Sequence, residues 1–148
     1  QWWTIPSEKS KNGLSHRVPL TGIAMEIIRA LRKQNGDSEY LFPSPRKNLS
    51  CISGPAIDHA VRTNMNIFKI AHFTPHDLRR TAATHMTDSG IPRNPDLSRV
   101  LNHSENGVTA VYDRYSYDKE KKLALETWSR KLESILFGKT SKVVPIRK

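Results

Sequence analysis

Apolar side chains recur along this chain first at the spacing of strands and then, for most of its length, at the spacing of helices. Trp2 to Ile5 is aromatic and β-branched, His16 to Leu20 is a matching partner, and Asn12-Gly13 lies in the turn between them. The chain therefore opens on a β-hairpin, with Lys9 and Lys11 near its tip. A helix is predicted from about Gly22 to Gln34, capped by Thr21 and ended by Gly36, with Ala24, Ile27, Ile28 and Leu31 on one face. Leu41 to Pro43 is a short apolar piece before a loop rich in Pro, Ser and Asn. Ser53 can cap a second helix in which Ile57, Val61 and Met65 share a face.

The strongest helix start lies further on. Thr74 is a good N-cap, Pro75 falls at the first helical position, and Asp77 takes the acidic place of a capping box. Leu78, Ala82 and Met86 then line up, and Gly90 with Pro92 stops the run. A shorter helix is expected over Asp96 to Leu101, started by Asn94 and Pro95. A long one is expected over Asp118 to Phe137, with Ala124, Trp128, Leu132, Ile135 and Leu136 on its apolar stripe. The fold class is mainly α with one small antiparallel hairpin. Residues 1–137 form one domain and residues 138–148 a tail that is basic and solvated, although Val143 to Ile146 is a short apolar patch within it.

Composition narrows the function. The 148 residues carry a formal charge of +10, which marks a polyanion as the partner, nucleic acid ahead of an anionic membrane surface. This is not a tail effect, since residues 1–50, 51–100 and 101–148 carry +4, +2 and +4. Cys51 is the only cysteine, which excludes an intrachain disulfide scaffold and points to a reducing compartment. No stretch approaches the ~20 apolar residues of a membrane span, and Gln1-Trp2-Trp3 does not resemble a signal peptide. The expected setting is the cytoplasm.

Candidate chemistry gathers at two places. His76 and Arg79 stand three residues apart at the start of a helix, on one face, beside unpaired N–H groups and the positive end of the dipole, which attracts phosphate. The same pair could equally be solvated or capping groups. Arg80 points about 100° away, toward a different contact. Further on, Leu101-Asn102-His103 is followed by Tyr112, Tyr115 and Tyr117, a cluster that on spacing alone reads as aromatic packing for the last helix. His85 reads as a packing or surface residue. His59, His72, His76, His85 and His103 come with no C-x-x-C and no carboxylate cluster at ligand spacing, so no metal is expected.

The string His76-Asp77-Leu78-Arg79-Arg80-Thr81, then Leu101-Asn102-His103, then Tyr112 resembles the signature of the tyrosine recombinase (phage integrase) family. Ile5-Pro6 through Lys11-Asn12-Gly13 to His16-Arg17-Val18-Pro19-Leu20 is similar to the β-hairpin of its prophage-type members. The resemblance runs from about Trp2 to Leu136 and implies the catalytic-domain fold of that family. It implies attack of Tyr112 on a DNA phosphodiester, leaving a 3′-phosphotyrosyl bond and a free 5′-hydroxyl. Arg79 and His103 would hold the phosphate, His76 would assist proton transfer, and Lys11 would protonate the departing oxygen. Tyr115 and Tyr117 are alternative nucleophiles, with the nine-residue interval from His103 favouring Tyr112. Double-stranded DNA at attachment sites would be the substrate, a homotetramer the assembly on DNA, and no cofactor would be needed.

Lys9, Arg17 and Arg80 are candidate DNA contacts. So is His16, for which a solvated side chain is the simpler expectation. The family also carries an arginine in a G-x-R-x-x-E-like stretch preceding the hairpin, and no such stretch occurs in these 148 residues. The chain is therefore expected to be an N-terminally truncated fragment with little cleavage activity alone. The competing expectation is a basic module that binds DNA, or regulates a partner, without chemistry. Asn102 stands where many relatives have glycine, and asparagine tolerates the left-handed backbone almost as well.

Overall fold

The structure, a computed structural model, describes residues 1–46, 50–92, 96–103 and 116–138. Its described elements are strands β1 (Trp2–Ile5) and β2 (His16–Pro19), followed by helices α1 (Gly22–Asn35), α2 (Ala56–Thr63), α3 (Met65–Phe68), α4 (Pro75–Asp88), α5 (Ser98–Val100) and α6 (Asp118–Phe137). The fold is thus mostly helical with one two-stranded antiparallel sheet, as the sequence pattern predicts. No helix among the described residues is long and apolar enough to cross a membrane. Two compact units divide the chain, one from residues 1–21 and 83–148 and the other from residues 22–82.

In the first unit the sheet pairs Trp2 with Pro19 and Ile5 with His16. The ten residues between the strands form a structured loop. It has a short 3-10 turn at Ser7–Lys9, and Gly13 at φ 69° supplies the left-handed step that its absent side chain permits. Helix α6 packs on β2 and on α5. Among the described residues, the buried apolar side chains are Met86, Ile91, Leu97 and Ala124, the last with no exposed surface at all. His85 stacks on Trp128, with ring centroids 5.6 Å apart and planes 11° from parallel, so its role is packing.

Polar contacts join β2 to α6. Arg17 pairs with Asp118 while its guanidinium lies 4.7 Å from the centre of the Trp2 ring. Asp118 also takes the Lys121 ammonium at 3.3 Å, which lets that lysine lie buried on the inner side of α6. The expected α6 stripe is therefore only half realised. Ala124 is buried, but Ile135 and Leu136 are 56% and 59% exposed, because the inner line of α6 joins Ala124 to Lys121 and Ser129.

In the second unit α1 ends as expected, at Gly36 with φ 58°. Asn35 Nδ2 then donates to the Leu41 carbonyl at 2.7 Å, turning the chain into a short bridge between Pro43 and Cys51. Helix α2 begins at Ala56, later than the Ser53 cap predicts. Pro55 occupies the cap position, and the Ser53 carbonyl accepts the Ala56 N–H at 3.0 Å. Met65 falls in α3, beyond a break at Asn64 whose side chain donates back to the Ala60 carbonyl. Ile27, Ile57 and Leu78, expected on inner faces, are all more than half exposed. Periodicity identifies a stripe, but only a facing element buries it.

Candidate active site

The start of α4 is built as a reciprocal capping box. Thr74 donates its N–H (3.0 Å) and its hydroxyl (2.8 Å) to the Asp77 carboxylate, and the Asp77 N–H returns to the Thr74 hydroxyl at 3.3 Å. Pro75 has no N–H to leave unpaired, so the first turn is fixed by sequence chemistry alone. The hydrogen bonds from Thr74 hold the Asp77 carboxyl below its ordinary value, helped by the charges of Arg80 and His76. Arg80 reaches back to Asp77 at 3.4 Å.

This anchored turn carries His76 and Arg79, both exposed, three residues apart on one side of the helix. Arg79 has the donor fork suited to two oxygens of one phosphate, and His76 has a group able to move a proton. His72 stands four residues before His76, but α4 begins at Pro75, so the two histidines do not share a helical face. Among the described residues, no group of three His, Cys, Asp or Glu side chains could hold a metal ion.

A second cluster forms where the hairpin loop meets the turn after α5. Asn102 adopts a left-handed backbone at φ 52°, with its N–H on the Arg99 carbonyl at 3.3 Å, and the His103 N–H follows onto Ser98 at 3.0 Å. The Asn102 side chain crosses to the loop. Asn12 Nδ2 donates to Asn102 Oδ1 at 3.0 Å, and Asn102 Nδ2 donates to Ser10 Oγ at 3.1 Å. Ser10 Oγ in turn donates to Asn12 Oδ1 at 2.8 Å. The three side chains form a closed ring. Lys11 lies between two of its members and His103 directly follows the third, and both Lys11 and His103 are exposed.

The structure thus brings the segments of Lys11 and His103 together, and it places His76 and Arg79 on one turn of α4. Tyr112 and Tyr115 lie outside the described residues. Tyr117, the other alternative nucleophile, caps α6 at φ 52° with its ring 4.7 Å beneath the Arg99 guanidinium, an arrangement that serves packing. His16 corrects its expectation. It is only 9% exposed, at the first position of β2, so it is a buried strand residue and its side chain is not the solvated one expected. Lys9 is exposed in the 3-10 turn, whereas Arg17 is already engaged by Asp118 and Trp2. Sequence reasoning identified Asn102 only as a left-handed residue. Its partners Ser10 and Asn12 lie about ninety residues earlier, at a range where no local pattern operates.

Comparison with known proteins places these residues in a family. The family model described as "Phage integrase family" matches residues 1–119, a span that includes the hairpin, α4 and the Asn102-His103 turn. The prophage integrase IntZ of Escherichia coli (strain K12) is 29% identical over 143 residues, covering 96% of this chain and 34% of the relative. The prophage integrase IntA of the same strain is 24% identical over 128 residues, covering 86% of this chain and 30% of its own length. The tyrosine recombinase XerA of Pyrococcus furiosus is 32% identical over 130 residues, covering 86% of this chain and 44% of the relative. The chain therefore spans between about a third and less than half of the length of these relatives. No solved structure is significantly similar to it. With four-fifths of its length matched by the family model, this chain belongs to the phage integrase family.

Proposed function

We propose that this chain is the catalytic part of a site-specific recombinase that breaks and rejoins double-stranded DNA at attachment sites. The observation that supports this most is the family match over residues 1–119, which takes in Lys11, His76, Arg79, His103 and Tyr112 in order. In this reading the Tyr112 hydroxyl attacks the scissile phosphorus, and a phosphotyrosyl bond forms as the bond to the 5′-oxygen breaks. The tyrosyl proton leaves with the help of His76, because a phenol of pKa ~10 is mostly protonated at neutral pH. Lys11 delivers a proton to the departing 5′-oxygen. Arg79 and His103 stabilise the charge on the non-bridging oxygens, where losing one such donor typically costs about 3 kcal/mol of transition-state stabilisation. Attack by another strand's 5′-hydroxyl reverses the step and conserves the bond energy, so no nucleotide cofactor is consumed.

The charge of +10 serves the same reading, because a catalytic portion that grips phosphates needs cations along the duplex. The working assembly is a homotetramer on DNA in the cytoplasm. The chemistry also calls for a second arginine in a G-x-R-x-x-E-like setting, which these 148 residues do not contain. The chain alone is accordingly weakly active or inactive. A nicked suicide duplex carrying the attachment sequence tests this, offered to the isolated chain and to the complete product of its gene. The complete product should form a detergent-stable protein–DNA adduct and the isolated chain should form little. Equal rates for the two would refute the need for a further arginine. Salt-dependent DNA affinity without any adduct would favour a binding module.

A further inference from the structure

We infer that the ring of Ser10, Asn12 and Asn102 is a latch that sets the position of Lys11 against His103, which makes Asn102 a positioning residue for proton delivery. The inference rests on the recombinase reading above for the role of Lys11, but its geometry stands independently. Each member of the ring donates one hydrogen bond and accepts another, at 2.8, 3.0 and 3.1 Å. Bonds closed head to tail polarise one another, and here they are part-buried, where competition from water is reduced. Asn12 Oδ1 also accepts the Leu14 N–H at 3.1 Å, while the Gly13 N–H bonds the Ser10 carbonyl at 3.0 Å. The loop is therefore tied internally by the same residues that tie it to Asn102.

Lys11 is exposed and flanked on both sides by ring members. Without the ring, a ten-residue loop between two short strands would let that lysine sample many positions. With it, the side chains on each side of Lys11 are hydrogen-bonded to the residue preceding His103. Asn102 does two things at once. Its backbone takes φ 52°, which asparagine and glycine both tolerate, and its side chain supplies two of the three ring bonds, which glycine cannot. The asparagine found here thus keeps the turn that glycine would make and adds a clasp on the loop.

The test compares Asn102→Gly with the unmodified protein, in the complete gene product, on two suicide substrates. One carries an ordinary scissile phosphodiester. In the other, sulfur replaces the bridging 5′-oxygen, and its thiolate departs without needing a proton. Misplacing a proton donor by about an ångström can slow reaction up to about a hundredfold. We expect Asn102→Gly to slow cleavage of the ordinary substrate by roughly tenfold and cleavage of the sulfur substrate by less than about twofold. Ser10→Ala should reproduce this pattern, and the double variant should be no worse than either single one, since both open the same ring. Equal slowing on both substrates, or none on either, would overturn the latch as a device for proton delivery. Amide exchange at Leu14 and Gly13 gives a readout independent of cleavage, and should accelerate in Asn102→Gly. If the unmodified protein forms no adduct on either substrate, the recombinase reading fails. Unchanged exchange in the variant would then separately refute the latch.

Discussion

Thr74→Ala is the perturbation whose consequences follow most directly from the structure. The Thr74 hydroxyl accepts the Asp77 N–H at 3.3 Å and donates to the Asp77 carboxylate at 2.8 Å, and alanine removes both contacts. N-cap replacements by alanine cost about 0.5–2 kcal/mol. The long N–H contact argues for the lower half of that range, while the charge-assisted hydroxyl contact pulls upward, so the expected loss is about 1 kcal/mol. For a domain of this size that lowers Tm by roughly 3–4 °C.

Thr74→Ser keeps the hydroxyl and should cost only a few tenths of a kcal/mol by comparison, about the effect of a small surface change. The pH dependence adds an independent sign. Hydrogen bonding to Thr74 is the largest influence lowering the Asp77 pKa from its ordinary 3.8. The folded chain therefore holds that proton more weakly than the unfolded chain does. Its contribution to stability is complete above the ordinary value and is lost as the pH falls through the lowered one. Because alanine removes the main cause, the stability gap between the parent and Thr74→Ala should narrow in acid. Thermal unfolding followed by circular dichroism across pH, with Asp77 titrated by NMR, measures both effects. Equal stability of the alanine and serine variants, with Asp77 titrating unchanged in both, would refute the capping argument.

Other outcomes follow from burial and charge. Met86 is 2% exposed, so Met86→Ala should cost about 2–4 kcal/mol in denaturant unfolding, whereas Leu78→Ala on the same helix, at 56% exposure, should cost far less. Lys9→Ala should weaken binding to duplex DNA about equally across sequences and reduce the slope of log affinity against log salt by about one, measured by fluorescence anisotropy. His16→Ala should leave that slope unchanged and lower stability, because its side chain is buried.

Local chemistry explains how much of this fold the sequence disclosed. The hairpin and the start of α4 follow from signals carried within a few residues: aromatic strands around Asn12-Gly13 and the Thr74-Pro75-Asp77 box. Burial was less legible. The same periodicity that locates α6 puts Ala124, Ile135 and Leu136 inside, yet beside Ala124 the helix turns Lys121 and Ser129 inward, and lysine is accommodated there because Asp118 neutralises it. The pairing of Arg17 with Asp118 spans 101 positions and the Asn12–Asn102 bond spans 90. Such contacts are chosen by tertiary packing, and a sequence pattern carries no mark of them. His16 shows the same limit, since a polar residue opening a strand gives no sign of which face it will occupy. For the candidate site, the residue types and their order were readable in advance. The clasp that holds one of them was not.

The most direct test of the central claim is to trap the covalent adduct formed by the complete gene product on a nicked suicide duplex, digest it, and identify the modified peptide by mass spectrometry. The account predicts a nucleotide joined through its 3′-phosphate to Tyr112, and loss of the adduct in Tyr112→Phe. A nucleotide carried by Tyr115 or Tyr117, or an adduct that persists in Tyr112→Phe, would contradict it.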